Sequence, residues 1–193
     1  MVQLLEELEM YAKEHRVPIM EPEGIAFLLE TIKNYHCQTI LELGTAIGYS
    51  AIRMCLVDPK ITVVTVERDK EKYQLALENI QKAGLEGRIT VIFGDALETK
   101  IDGMFDLLFI DAAKSQYIKF FERYLPNLKA NGMVISDNLG FHGLVAHPEE
   151  IRSKNVRAMV RKLQTYRDYL KERTDFQTDF YEVGDGIAVS IRL

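Results

Sequence analysis

Short, nearly uninterrupted apolar runs alternate along the chain with longer amphipathic stretches. Residues 39–43 (TILEL), 61–67 (ITVVTVE), 89–93 (ITVIF), 105–111 (FDLLFID) and 133–137 (MVISD) are rich in β-branched or aromatic residues and bounded by turn residues. That pattern predicts five strands. The intervening stretches 49–57, 70–83 and 115–129 predict helices, and two more, 2–15 and 22–34, flank Val17-Pro18-Ile19-Met20. Strands apolar on both faces and separated by helices imply a parallel sheet covered on both sides, with right-handed crossovers. After residue 140 the pattern changes. A loop at 139–148 leads to a charged helix over 152–172, then to runs 176–183 and 187–192 around Gly184-Asp185-Gly186. Two strands about a tight turn form a hairpin, which pairs antiparallel, so the sheet edge is mixed. No repeat, linker or low-complexity segment divides the chain, so 1–193 reads as one α/β domain.

Composition narrows this picture. The chain has 193 residues, 47% hydrophobic and 27% charged, which excludes a disordered chain and fits one domain with a sizeable core. No apolar run reaches the ~18–20 residues of a membrane span. The charged, amphipathic start MVQLLEELEMYAKEH does not read as a signal peptide. Cys37 and Cys55 sit in apolar contexts and read as reduced core thiols of a cytoplasmic protein. Cys and His do not cluster, which argues against zinc. The net charge of −5 argues, as a total, against nucleic acid.

Candidate chemistry begins at Leu41-Glu42-Leu43-Gly44-Thr45-Ala46-Ile47-Gly48-Tyr49-Ser50, which follows the first strand and opens a helix. Glycines there let the backbone approach a ligand, and a helix N-terminus offers free N–H groups. The alternative is a tight turn without a ligand. The spacing is Gly-x-x-x-Gly, not the Gly-x-Gly-x-x-Gly of dinucleotide sites, and Glu42 would repel a phosphate. Both features favour a cationic ligand such as S-adenosylmethionine over a nicotinamide dinucleotide. Glu67, ending the second strand, suits ribose hydroxyls. Asp95 in Gly94-Asp95-Ala96 suits an adenine amino group, with the small Ala96 leaving room for the base. Alone, Asp95 reads better as an Asx-turn or a helix cap.

Asp111 ends the fourth strand and Asp137-Asn138 the fifth, so all three project from the carboxyl edge of a parallel sheet. Two carboxylates and an amide carbonyl make a hard oxygen site suited to Mg²⁺. Lys114 follows Asp111 by three residues and can face the same site. Taken singly, each Asp reads as a cap and Lys114 as a surface lysine.

On these stretches the chain resembles the metal-dependent O-methyltransferases related to catechol and caffeoyl-coenzyme-A O-methyltransferases. The similarity rests on LELGTAIGYSA (41–51), VERD (66–69), GDA (94–96), FIDAAKSQY (109–117), SDN (136–138) and VGDGIAVSIR (183–192), and so covers nearly the whole chain. It implies a Rossmann-like methyltransferase fold, a seven-stranded mostly parallel sheet with an antiparallel last strand. It implies that Met20, Glu42, Gly44, Tyr49, Ser50, Glu67, Asp95, Ala96 and Asp111 line the S-adenosylmethionine site. Asp111, Asp137 and Asn138 would bind Mg²⁺ or another divalent cation. Lys114 would act as the general base, with Asp111 beside it in the catalytic set. Residues 1–36 would form part of the cover, and the protein would be a homodimer.

HRVPIMEPEG (15–24), DNLGFHGLVAHPEEI (137–151) and the helix that follows are similar to a bacterial subgroup that methylates 5-hydroxyuridine at the tRNA wobble position. Its 5-hydroxyl and neighbouring O4 form a vicinal oxygen pair, like a catechol, so a small phenolic substrate is the alternative. Members of the subgroup usually carry further residues before the helix at 2–15, so contacts from that region are expected to be missing or replaced. Residues 141–173 carry a net +4, leaving −9 on the remainder. Arg152, Lys154, Arg157, Arg161 and Lys162 are therefore candidate contacts to the phosphates of an anticodon stem-loop, or else a solvated helix face. Phe141 could stack a splayed base or pack the loop. His142 and His147 fall in the same loop as candidate substrate contacts.

Overall fold

The computed structural model describes residues 1–141, 143–145, 149 and 151–193. His142 and His147 lie outside the described residues. In chain order the elements are α1 (Val2–His15), α2 (Pro22–Asn34), β1 (Thr39–Leu43), α3 (Tyr49–Cys55), β2 (Thr62–Glu67), α4 (Lys70–Lys82), β3 (Ile89–Phe93), β4 (Phe105–Ile110), α5 (Tyr117–Tyr124), β5 (Leu128–Ser136), α6 (Lys154–Glu172), β6 (Phe176–Tyr181) and β7 (Ile187–Arg192). Local chemistry sets the boundaries. Asp69 caps α4 by accepting from the Glu71 and Lys72 N–H groups at 3.0 and 3.1 Å. Pro22 opens α2, where its missing N–H is not needed.

The seven strands form one sheet in the order β3-β2-β1-β4-β5-β7-β6. The first five pair parallel, and β7 runs antiparallel to both β5 and β6. This is the Rossmann-like methyltransferase sheet expected from the sequence. β6 is therefore parallel to β5, which makes β5-α6-β6 a crossover and starts α6 at the carboxyl edge of the sheet. The hairpin turn after β6 returns to the same edge.

Period-two burial on both faces places the core. Leu107 and Phe109 of β4 join Ile40, Val63 and Ile135 under α1, α2 and α3. Leu108 and Ile110 join Leu41, Val66 and Val134 under α5 and α6. Each such side chain contributes roughly 1.5–3 kcal/mol when fully buried.

Two boundaries differ from the sequence reading. The helix expected over 115–129 is split into a 3₁₀ turn at Lys114–Gln116, α5, and a second 3₁₀ turn at Leu125–Asn127. Pro126 cannot donate to a helical ladder and restricts Leu125, so the chain leaves the helix there. β5 accordingly starts at Leu128, five residues before the expected strand. Asn131 in the left-handed region (φ 61°) and a register shift opposite Phe105/Leu107 accommodate its irregular first half. Among the described residues, no helix is long and apolar enough to cross a membrane.

Candidate functional site

Five strand ends converge on one cavity of about 640 Å³. Of the residues singled out in the sequence, Met20, Gly44, Glu67, Asp95, Ala96, Asp111, Lys114, Asp137 and Asn138 line it. Pro18, Ile19 and Glu21, between α1 and α2, close it from the N-terminal side, and Gly184-Asp185 of the hairpin turn closes the far side.

The glycine loop is fixed by the protein's own backbone before any ligand is considered. Gly44 has φ +101°, and a Cβ there would lie 2.0 Å from the Asp111 carbonyl oxygen. The close approach is between strand ends, since the Asp111 N–H donates to the Leu43 carbonyl at 3.0 Å. The buried Asn79 amide donates to the Ile47 carbonyl and pins the loop from below. Glu67 accepts from the Ala46 N–H at 2.9 Å and the Asp69 N–H at 2.8 Å. Each carboxylate oxygen has a second lone pair, so Glu67 keeps capacity for a ligand hydroxyl.

Glu42, Tyr49 and Ser50 are not among the cavity-lining residues. Glu42 is fully buried and accepts hydrogen bonds from the Ser50 and Thr65 hydroxyls. Burial pushes its pKa up to about 8, so the carboxyl is mostly neutral at pH 7 and presents no charge to a phosphate or a cation. The electrostatic argument from Glu42 does not survive folding. The Tyr49 hydroxyl donates to Glu9 of α1 at 2.5 Å and accepts from Arg53 at 2.7 Å. A buried phenol needs polar partners, and α1 supplies one. These three residues hold the loop from behind. Asp95 accepts from the Leu97 N–H at 2.8 Å, the turn-capping arrangement, and lies 3.9 Å from Arg68.

The oxygen cluster assembles as its spacing suggested. Asn138, held in the left-handed region at φ 61°, donates from Nδ2 to Asp111 at 2.9 Å and to Asp137 at 3.1 Å. The Tyr117 hydroxyl donates to the Asp137 carbonyl at 3.0 Å, and the Leu139 and Gly140 N–H groups donate to the Gly186 and Asp185 carbonyls. Burial raises the pKa of both Asp111 and Asp137, and their mutual repulsion raises Asp137 further, against the opposing effect of Lys114. Neither forms an ion pair among the described residues. The described residues contain no cluster of three or more His, Cys, Asp or Glu side chains fit for a metal. The buried Asp137 and half-buried Asp111 carboxylates plus an amide, turned to offer its oxygen, nevertheless fit a divalent cation whose remaining positions go to water or substrate. Lys114 opens the 3₁₀ turn beside this cluster, and its ammonium lies 6.0 Å from the Phe141 ring centre.

Arg152, Lys154, Arg157, Arg161 and Lys162 are exposed and do not line the cavity. Arg152 precedes α6, and Lys154, Arg157, Arg161 and Lys162 lie in its first half. α6 packs on the 3₁₀ turn that carries Lys114, with Tyr166 edge-on to Tyr117 at 5.3 Å. Arg157 also donates to the Ile151 carbonyl at 2.7 Å.

Gln116, Arg68, Lys72 and Asp185 line the cavity without having been singled out. Asp185 was legible, because a hairpin whose first strand parallels β5 must turn at the edge where β5 ends. Gln116 gave no sequence signal.

The family model described as O-methyltransferase matches residues 1–193. A Staphylococcus aureus crystal structure, named provisionally as a caffeoyl-CoA O-methyltransferase, is 38% identical with a TM-score of 0.94, covering 98% of this chain and 92% of that one. The caffeoyl-CoA O-methyltransferase of Stellaria longipes is 31% identical over 208 residues, 98% of this chain and 83% of that protein. A Podospora anserina methyltransferase solved with bound S-adenosylhomocysteine is 25% identical with a TM-score of 0.88, covering 98% and 88%.

Proposed function

The chain belongs to the O-methyltransferase family and is an S-adenosylmethionine-dependent O-methyltransferase; from that premise we propose that it methylates the 5-hydroxyl of 5-hydroxyuridine at the tRNA wobble position. The observation that carries the reading is one edge of the sheet holding two things together. Asp111, Lys114, Asp137 and Asn138 share a cavity there, and α6, whose first half is basic, packs on the 3₁₀ turn that carries Lys114. The first group suits a hydroxyl with a neighbouring oxygen, and the second suits a phosphate backbone.

The roles follow from position. The loop at Gly44–Ala46, Glu67 and the Asp95-Ala96 turn receive the cofactor. Asp111, Asp137 and Asn138 would hold a divalent cation, which when bound makes a neighbouring hydroxyl easier to deprotonate. Lys114 accepts the hydroxyl proton. The oxygen lone pair then attacks the cofactor's methyl carbon, and the breaking C–S bond leaves its pair on sulfur, giving S-adenosylhomocysteine. Holding oxygen and methyl near ~3 Å in line supplies much of the remaining rate.

The test is transfer of labelled methyl from S-adenosylmethionine to tRNA isolated from a strain lacking the protein, and to a stem-loop carrying hydroxyuridine. Both should be labelled, and a chelator should abolish labelling. Lys114→Met should lower turnover at least about 100-fold while cofactor affinity changes by less than about threefold. Efficient methylation of free catechols with no labelling of the stem-loop would assign a small phenolic substrate instead.

A further inference from the structure

The segment from Asp111 to Tyr117 carries a candidate cation ligand at its start and the proton acceptor Lys114 in its middle. Each residue from Asp111 to Gln116 is only half-buried, and Tyr117 is the first buried side chain after Ile110. Such a stretch keeps its place by its ends, since little apolar burial fixes it between them. At the front end the Asp111 N–H donates to the Leu43 carbonyl at 3.0 Å. At the back end the anchor is the Tyr117 side chain, 1% exposed, whose ring lies edge-on to Tyr166 with centres 5.3 Å apart.

The Tyr117 hydroxyl donates across to the Asp137 carbonyl at 3.0 Å. That carbonyl belongs to the peptide joining Asp137 to Asn138. A peptide unit is planar, so a bond to its oxygen sets the direction in which Asn138 leaves the strand. Asn138 then takes φ 61°, from which its amide reaches both Asp111 and Asp137. A residue other than glycine stays in that region because its surroundings hold it there. One hydroxyl therefore joins the back end of the Lys114 turn to the peptide that aims Asn138. Tyr166 supports the join from α6, with its own hydroxyl bonded to the Ser136 hydroxyl at 2.7 Å.

We propose that Tyr117 is a positioning residue for methyl transfer: by tying the Lys114 turn to the Asp137–Asn138 peptide, it fixes the separation between the proton acceptor and the cation ligands. The assignment rests on the reading of Lys114 and of the oxygen cluster given above. A proton acceptor and a cation that act on one hydroxyl must keep a constant spacing, and a misplacement of about 1 Å costs on the order of 100-fold in rate.

Tyr117→Phe keeps the ring and removes the hydroxyl. Tyr166→Phe removes a second buried hydroxyl, one not bonded to the Lys114 segment, and serves as the comparison. Both should lower the melting temperature by a similar few degrees. Methyl transfer is measured at saturating Mn²⁺, with whichever acceptor the wild type uses, the hydroxyuridine stem-loop or a free catechol. Tyr117→Phe should lose at least about tenfold in kcat, with KM for S-adenosylmethionine within about twofold. Its affinity for Mn²⁺, read by calorimetry without substrate, should weaken about tenfold. Tyr166→Phe should keep kcat and Mn²⁺ affinity within about twofold. Equal losses in the two variants, or a kcat for Tyr117→Phe restored by saturating Mn²⁺, overturn the proposal, because the spacing to Lys114 would then not depend on this hydroxyl. If the wild type methylates neither acceptor, the substrate reading fails by itself and the Mn²⁺ comparison decides. Unchanged affinity in Tyr117→Phe then overturns the tie, and a loss confined to that variant supports it.

Discussion

Glu42 and Ser50 lie in the segment that resembles a cofactor loop, yet the fold uses them to tie β1, β2 and α3 together. The ordinary pKa of such a carboxyl is 4.5, and burial raises it to about 8. Between those values the folded protein holds a proton that the unfolded chain has released. The sign follows directly: stability is fully present below about pH 4.5 and falls as pH rises toward 8, by up to about 1.4 kcal/mol per pH unit from this group. Asp111 and Asp137 shift in the same direction, so the ligand-free protein should lose stability on moving from pH 5 to pH 8. Glu42→Gln keeps an amide to bond with Ser50 and Thr65 and removes one titrating proton. Urea unfolding across that range should give a shallower decline for the variant. Equal slopes in the two proteins would mean that Glu42 is already ionised in the fold.

At the scale of elements, α1 packs on the core through Leu4, Leu5, Leu8, Tyr11 and Ala12. Of these only Leu8 and Ala12 are fully buried, and its polar anchor is Glu9, bonded to Tyr49 at the start of α3. Since α1 leads into Pro18–Glu21, which line the cavity, this anchor sets how firmly the cover sits. Tyr49→Phe removes the hydroxyl and should cost about 1 kcal/mol. Amide exchange over residues 2–15 should quicken, while S-adenosylhomocysteine affinity stays within about twofold. A large loss of affinity would return Tyr49 to the cofactor wall, where the family resemblance put it. The same contrast marks what the sequence could disclose. Strand order of appearance, the hairpin and the cluster at Asp111, Asp137 and Asn138 were legible, because period-two burial and strand-end position are written in local pattern. The early start of β5 was not, since it depends on Pro126 ending one helix and Asn131 adopting a left-handed turn. That Tyr49 turns its hydroxyl to α1 was hidden for another reason. Which side of α3 a phenol occupies depends on a partner forty residues away, and no spacing rule reports that.

For the whole molecule, the net −5 averages a −9 body and a +4 segment over 141–173. Topology decides whether the partition matters. Because β6 runs parallel to β5, α6 begins at the carboxyl edge of the sheet, the edge that carries the cavity. The acids Asp168 and Glu172 fall at its other end, balanced there by Arg167 and Lys171. If a stem-loop docks there, each phosphate neutralised by a lysine or arginine releases a counterion. The logarithm of kcat/KM should then fall with the logarithm of salt concentration at about 0.7–0.9 per contact. With three to five contacts the slope should lie near −2 to −4, whereas a small neutral phenol should give almost none. Arg161 is the residue to test, because it makes no ion pair among the described residues, whereas Arg157 also holds the Ile151 carbonyl. Arg161→Gln should flatten the stem-loop slope by about one and leave kcat at saturating RNA unchanged. A steep slope untouched by Arg161→Gln would place the phosphate contacts elsewhere on the surface. A flat wild-type slope would remove RNA from the basic face of α6 altogether.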